Sequence, residues 1–230
     1  PQPSPKAQIE QRVGLTDFVL DYSSPAVKGR KIWGALVPYD QPWRSGANAA
    51  TKLTAAKDFK FGATTVPAGS YSLYTTPTNG RWTVALNSAA DIWGVFGIDS
   101  KKDVARLTVK PESVPARERL AYIFSNTTDD GTRLDLEWEK IRISIPMSVD
   151  TKTQAMANID KSLEEAWRPH FASARWLLEN SGDLAKALEE ASQALGIARD
   201  NLGEGHLATI ISASDLAALQ QLSGMADAAE

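Results

Sequence analysis

The segment from residue 43 to residue 48 concentrates side chains that could bind a ligand. Its sequence is Trp43-Arg44-Ser45-Gly46-Ala47-Asn48. It offers an indole, a guanidinium, a hydroxyl and a carboxamide, and a guanidinium donates to two oxygens of a carboxylate or phosphate at once. The segment holds no nucleophile with a neighbouring base. It therefore predicts binding of a small polar ligand and gives no sign of covalent catalysis.

Each of these side chains also has a structural interpretation. Arg44 either clamps a ligand or holds a long loop by binding backbone carbonyls or an acid. Asn48 either orients the same ligand or forms a turn by bonding its own backbone. Trp93 lies in a second loop, and Arg106 lies opposite the apolar face of its strand. The predicted ligand-binding residues are Trp43, Arg44, Ser45, Asn48, Trp93 and Arg106.

Three tryptophans would form a sugar-stacking platform if they were exposed together: Trp43, Trp82 and Trp93. Trp82 lies on the apolar face of an alternating segment, so we expect it in the core. Trp43 and Trp93 lie in loops, and the sequence leaves their exposure open.

Metal and cofactor motifs are weak in this sequence. The chain has no cysteine, and its only two histidines, His170 and His206, are 36 residues apart, so we expect no zinc site of the usual ligand spacing. The run Asp129-Asp130-Gly131 resembles the start of a calcium loop but lacks the closing Glu, and we predict a tight hairpin turn. Neither a metal nor a cofactor is expected. A hydrolase that uses Asp or Glu at the same loop stays open, because the spacing singles out no carboxylate pair.

Composition narrows the class of protein. The chain has 230 residues, 43% of them hydrophobic, and its 25 basic and 28 acidic residues give a net charge of −3. These values are typical of a globular protein with one large or two modest domains. Without a basic stripe, nucleic acid is not an expected partner. No apolar run approaches the roughly 18 residues that span a bilayer.

Alternating hydrophobicity predicts strands up to about residue 149. Some nine short strands with turns between them favour an antiparallel β-sandwich or jelly-roll over a parallel sheet. The clearest hairpin has its turn at Asp129-Asp130-Gly131.

The apolar residues move from even-numbered to odd-numbered positions across Glu139-Lys140, which indicates a β-bulge or a change of sheet. Ile32–Val37 fits either a strand or a helical turn. The residues predicted to share one core are Phe18, Leu20, Trp82, Leu86, Tyr122, Phe124, Leu134 and Trp138.

Helical spacing replaces the alternation near Pro146. We predict a first helix from Thr153 to Arg168, which Pro169 ends. Three more are predicted from Phe171 to Asn180, from an Asp183 cap to Leu202, and from His206 to Leu222. Gly182–Leu188 echoes Gly224–Glu230 at an offset of 42 residues, which resembles a long tetratricopeptide repeat. The predicted fold is α+β overall, with a β-sandwich at 7–149 and tetratricopeptide-like helical hairpins at 151–230.

Many sequence blocks resemble the bacterial DUF2911 family, over about residues 9–149. They are Asp21–Pro25, Val27–Gly34, Leu36–Tyr39, Trp43–Asn48, Pro67–Tyr74, Trp82–Asn87, Trp93-Gly94, Asp103–Arg106 and Leu136–Glu139. This domain of unknown function is usually found behind an export signal, so the resemblance implies a fold and an envelope address but no activity. The chain departs from the family pattern at Ser24, where relatives tend to carry Arg, and at Ala49, where they tend to carry an acid.

The start of the chain agrees with export. Pro1-Gln2-Pro3-Ser4-Pro5 is typical of a leader left after signal-peptide removal, so we expect a periplasmic or secreted protein. The expected function is a non-catalytic exported module that binds a small polar or carbohydrate-like ligand, with helices that contact a protein partner. A hydrolase and a purely structural envelope protein are the alternatives. A ligand site requires Arg44 and a loop tryptophan in one open concavity.

Overall fold

The computed structural model describes residues 3–96, 98–180 and 183–227. The chain divides into two compact units, Pro1–Lys152 and Thr153–Glu230. The first two residues of the expected leader lie outside the described residues. So do Gly182 and the last three residues of the segment that echoes it, 228–230.

Two antiparallel sheets make up the first unit. The strands are β1 (Lys6–Val13), β2 (Thr16–Ser23), β3 (Thr51–Ala55), β4 (Phe59–Phe61), β5 (Thr64–Val66), β6 (Gly69–Thr76), β7 (Trp82–Asn87), β8 (Asp103–Val109), β9 (Glu112–Ser125) and β10 (Gly131–Ser148). A six-stranded sheet has the order β1-β2-β3-β6-β7-β8, and a four-stranded sheet has the order β5-β4-β10-β9. Between residues 3 and 148, leaving out residue 97, the only helical segment is a 3₁₀ turn at Ser100–Lys102.

The hairpin of β9 and β10 follows the alternating pattern of the sequence. Leu134 pairs with Phe124 and Leu136 with Tyr122, and the register shifts on both sides of Glu139. Glu139 has a φ of 55°, a left-handed conformation that an extended strand does not use. This irregularity moves the apolar side chains from even to odd positions within one strand. The predicted bulge is therefore confirmed.

One hydrophobic cluster draws side chains from both sheets. All eight predicted core residues belong to it or pack against it, although Phe124 is only partly buried. Tryptophan rings are in contact there: the centroids of Trp33 and Trp82 are 4.7 Å apart, and those of Trp43 and Trp138 are 5.9 Å apart and stacked. Trp33 lies in Ile32–Val37, which forms neither a strand nor a helix but a series of turns closed by a bridge from Trp33 to Val37.

Four helices follow the sheets: α1 (Thr151–Glu165), α2 (Arg168–Asn180), α3 (Leu184–Leu202) and α4 (Leu207–Asp227). Helix α3 packs against both α2 and α4, around Ala174, Ala187, Ala191 and Leu219. The side chain of Asp183 accepts a hydrogen bond from the Lys186 N–H at 3.0 Å, as predicted for an N-cap. No strand occurs in residues 149–180 and 183–227, which confirms the change of period near Pro146.

Two predicted helix boundaries are wrong. Helix α1 ends at Glu165, and Pro169 lies in the first turn of α2, where its missing N–H and fixed φ are tolerated. Gly224 lies inside α4, which continues to Asp227. Across the described residues, no helix has the length and apolar character needed to span a bilayer.

Candidate functional site

Backbone and side-chain hydrogen bonds fix the segment from residue 43 to residue 51 against both sheets. The N–H and the carbonyl of Trp43 pair with Thr75 in β6, at 2.7 and 2.9 Å. The carbonyl of Ser45 accepts from the hydroxyl of Thr51 at 2.9 Å and from the hydroxyl of Tyr122, in β9, at 2.8 Å. The loop that carries the predicted site therefore has a defined conformation.

Trp43 belongs to the core. Its side chain is buried among the other tryptophans, and its indole N–H donates to the carbonyl of Gly46 at 3.1 Å. This bond closes the tight turn that follows Arg44. Trp43 thus supports the loop and offers no surface for stacking a ligand.

Ser45 and Asn48 are also used by the protein itself. Ser45 is fully buried, and its hydroxyl lies 3.0 Å from that of Thr75. Asn48 has a φ of 60°, and its amide donates to the carbonyl of Ser4 at 3.2 Å and to the hydroxyl of Ser23 at 3.3 Å. Asn tolerates the left-handed conformation better than most residues. Both side chains hold the loop in shape.

Arg44 differs from its neighbours. Its side chain is half-buried, and its Nε is buried with no hydrogen-bond partner. Nη1 lies 3.9 Å from the point where a Cβ on Gly94 would stand, so the guanidinium reaches the second loop next to Trp93. Throughout the described part of the chain, no acid and no carbonyl accepts a hydrogen bond from this side chain. Its Nη donors, unlike the buried Nε, are therefore available to a ligand.

Trp93 lies at the wall of a cavity of about 400 Å³. Its side chain is 66% exposed, and its backbone forms an isolated bridge with Ala49. The cavity contains donors and acceptors: Lys52 pairs with Asp91 at 3.2 Å, and Asp21 accepts from Gln8 at 2.8 Å. The lining residues are Lys6, Ala7, Asp21, Tyr22, Ser23, Ala49, Ala50, Lys52, Ala90, Asp91, Ile92 and Trp93.

The structure brings only part of the predicted site together. Trp93 lines the cavity, whereas Trp43, Arg44, Ser45, Asn48 and Arg106 do not. Arg106 pairs instead with Asp103 in the same strand, at 2.5 Å. Arg44 approaches the cavity only through Gly94, so the expected sharing of one concavity between Arg44 and a loop tryptophan is not seen.

Sequence reasoning missed the polar lining on β2 and β3. Asp21 in β2 lies directly opposite Lys52 in β3 in the strand register. Both side chains therefore point to the same face of the six-stranded sheet. Asp21 alternates with the apolar residues Leu20 and Tyr22 in the sequence, and this alternation was the available signal. The approach of the loop around Asp91 to this face comes from distant parts of the chain, which a local pattern does not reveal.

Metal binding and acid-base chemistry find little support here. Over residues 3–96, 98–180 and 183–227, no three His, Asp or Glu side chains cluster as metal ligands. His206 caps a helix by accepting from the Ala208 N–H at 3.1 Å, and His170 pairs with Glu190 at 2.8 Å. The cavity carboxylates of Asp21 and Asp91 are engaged by Gln8 and Lys52. The arrangement is better suited to binding than to proton transfer.

Comparison with known proteins identifies a family but no activity. No curated protein and no solved structure matches the chain. A family model described as "Protein of unknown function (DUF2911)" matches residues 4–147, which confirms the resemblance found in the strands and leaves the helices outside the match. Since the matched residues make up more than half of the 230-residue chain, the chain belongs to the DUF2911 family.

Proposed function

We propose that the β unit binds a small polar, carbohydrate-like ligand in the cavity beside Trp93 and does not transform it. The observation that carries this proposal is the 66% exposure of Trp93 at the wall of a cavity of about 400 Å³. A tryptophan side chain combines a large apolar face with a polar N–H, which suits it to a ligand-binding surface. An indole face suits the apolar face of a sugar ring.

The polar lining matches the hydroxyl groups of such a ligand. Asp21 and Asp91 supply acceptors, and Lys6 and Lys52 supply donors. Small-ligand clefts typically measure about 300–1,000 Å³ and combine an apolar wall with a few polar groups. The cavity falls within this range and has both features.

Two further parts of the proposal concern the scaffold and its location. We infer a β-sandwich, which is supported by the single core that both sheets share. We infer tetratricopeptide-like helices that contact a protein partner, which is supported by the packing of α3 between α2 and α4. A periplasmic or secreted location rests on the family resemblance alone.

The rival functions predict other arrangements. A hydrolase would need two carboxyl groups placed for acid and base work, but Asp21 and Asp91 are each held by a neighbouring side chain. In a purely structural protein, the Arg44 side chain would form hydrogen bonds that hold the loop, as the side chains of Ser45 and Asn48 do. The spare donors of Arg44 favour a ligand.

Calorimetric titration with neutral and acidic oligosaccharides, peptidoglycan fragments and dicarboxylates tests the proposal. The unmodified chain is expected to bind one of these without consuming it, and Trp93→Ala is expected to bind at least about tenfold more weakly. Trp176→Ala is the matched control, because Trp176 is also exposed, at 60%, but lies in α2. Equal weakening by both variants, or turnover of the ligand, would refute the proposal.

A further inference from the structure

We propose that the ligand of the Trp93 cavity carries a carboxylate that binds Arg44, which makes acidic saccharides the ligand class. This inference rests on the proposed function, since it places the sugar ring on Trp93. It adds a second contact point near Gly94, outside the lining of the cavity.

The first support is the contrast between Arg44 and the other arginines of the β unit that contact acids. Arg12 pairs with Asp17, and Arg106 pairs with Asp103. Arg117 and Arg142 share the buried carboxylate of Glu137. Arg44 is half-buried, whereas Arg12, Arg106 and Arg117 are exposed, yet no acid or carbonyl within the described ranges accepts from Arg44.

The second support is the pair of free donors at the end of the side chain. Nε is buried without a partner, and a buried donor without an acceptor costs free energy. Nη1 and Nη2 are not buried in this way, and nothing in the described chain accepts a hydrogen bond from them. A carboxylate accepts from both Nη atoms together in a two-pronged geometry that Lys cannot provide.

The third support is the position of the guanidinium. Arg44 Nη1 lies 3.9 Å from the point where a Cβ on Gly94 would stand, and Gly94 directly follows Trp93 in the chain. Gly94 has a φ of 68° and is buried. The ring of Phe96, which is 81% exposed, lies 3.5 Å from the same Cβ position. The guanidinium is therefore close to the loop that carries Trp93 and Phe96.

This geometry favours an acidic saccharide over a free inorganic anion. A ring that stacks on Trp93 and bears a carboxylate, or links to a ring that bears one, satisfies both contacts at once. Phosphate or sulfate would satisfy only Arg44.

Titration calorimetry at constant ionic strength tests the inference with a galacturonic acid trimer and with cellotriose as the neutral trimer. The acidic trimer is expected to bind at least about tenfold more tightly, as one charge-assisted bidentate contact allows. Arg44→Gln should remove this difference and leave the affinity for cellotriose unchanged, and Arg44→Lys should recover only part of it. Arg81→Gln, a change at an exposed arginine, is the control.

The outcomes separate the inference from the proposed function. If Trp93→Ala weakens both trimers but Arg44→Gln weakens both equally or neither, the inference is wrong and the proposed function survives. Binding of neither trimer refutes the inference for this ligand class. The melting temperature in sodium sulfate then provides a second measurement. A rise in melting temperature that Arg44→Gln abolishes would show a site for inorganic anions, which also contradicts the proposal that the site binds an acidic saccharide.

Discussion

The hydroxyl of Tyr122 donates to the carbonyl of Ser45 at 2.8 Å, between two residues that are 77 positions apart in the chain. Tyr122 lies in β9 of the four-stranded sheet, and Ser45 follows Arg44 directly. The same carbonyl accepts from Thr51, which begins β3 of the six-stranded sheet. One carbonyl thus connects the loop to both sheets and fixes the backbone next to the guanidinium.

Removing the Tyr122 hydroxyl should loosen this connection. We expect Tyr122→Phe to lower the free energy of unfolding by about 1 kcal/mol, the usual net contribution of a neutral hydrogen bond, because Thr51 still satisfies the carbonyl. Urea unfolding measures the change. Tyr39→Phe is the control, since in the described chain the Tyr39 hydroxyl makes no hydrogen bond. Equal losses in both variants would contradict a specific role for the bond to Ser45.

The tryptophan cluster should dominate the stability of the β unit. Trp138 is 1% exposed and packs on Trp33 and Trp43. Truncating a buried aromatic side chain leaves a cavity and usually costs about 3–5 kcal/mol, so Trp138→Ala should lower the melting temperature by many degrees. Trp176→Ala, at an exposed position, should change it little. Scanning calorimetry decides, and an unchanged unfolding transition for Trp138→Ala would contradict the observed packing.

Glu137 should make stability depend on pH. Burial alone would raise the pKa of this carboxyl, but hydrogen bonds from Arg142 and Arg117 outweigh burial, and the pKa lies below its ordinary value. A depressed pKa means that the folded protein binds the proton less readily than the unfolded chain does. The stabilisation is therefore complete above the ordinary Glu value of about 4.3 and is lost as the pH falls through the folded-state pKa.

Unfolding experiments from pH 7 to pH 3 can measure this contribution. Glu137→Gln is expected to be less stable than the unmodified chain at pH 7, with a difference that shrinks as the pH falls. Asp17→Asn is the control, because its partner Arg12 is exposed and surface ion pairs contribute little. A difference for Glu137→Gln that stays constant across this range would exclude the ion pairs as its cause.

Arg44 should contribute little to stability, in contrast to Arg142. A ligand residue kept without a partner is often unfavourable in the free protein, so we expect Arg44→Gln to leave the free energy of unfolding unchanged or to raise it slightly. Arg142→Gln removes a partner of the buried Glu137 carboxylate and should be clearly destabilising. Urea unfolding of both variants compares them. A loss of about 3–5 kcal/mol for Arg44→Gln would make it a structural residue.

Local alternation was sufficient to predict much of the β unit. It placed Phe18 and Trp82 in the core, and the change of parity at Glu139 located the bulge. It did not resolve the two short strands at Phe59–Phe61 and Thr64–Val66, since three residues are too few to show a period. It also failed for Ile32–Val37, a loop segment from which Ile32, Trp33 and Val37 enter the hydrophobic core.

The candidate site was less predictable, because loop side chains have two possible uses. Trp43, Ser45 and Asn48 have the residue types of a ligand site, but hydrogen bonds to Gly46, Thr75 and Ser23 bind them to the scaffold. Thr75 and Ser23 come from other segments of the chain, and no spacing rule predicts these contacts. The cavity around Trp93 likewise depends on the pairing of β2 with β3 and on a distant loop.

The most direct test of a ligand site at Trp93 is the indole N–H spectrum of the ¹⁵N-labelled protein during titration with the oligosaccharide that binds most tightly. The chain has seven tryptophans, and Trp93→Phe assigns the resonance of interest. We predict that the Trp93 indole signal shifts progressively to saturation while the signals of buried Trp82 and exposed Trp176 stay in place. A titration that moves the Trp176 signal and leaves that of Trp93 unchanged would contradict the site proposed for this protein.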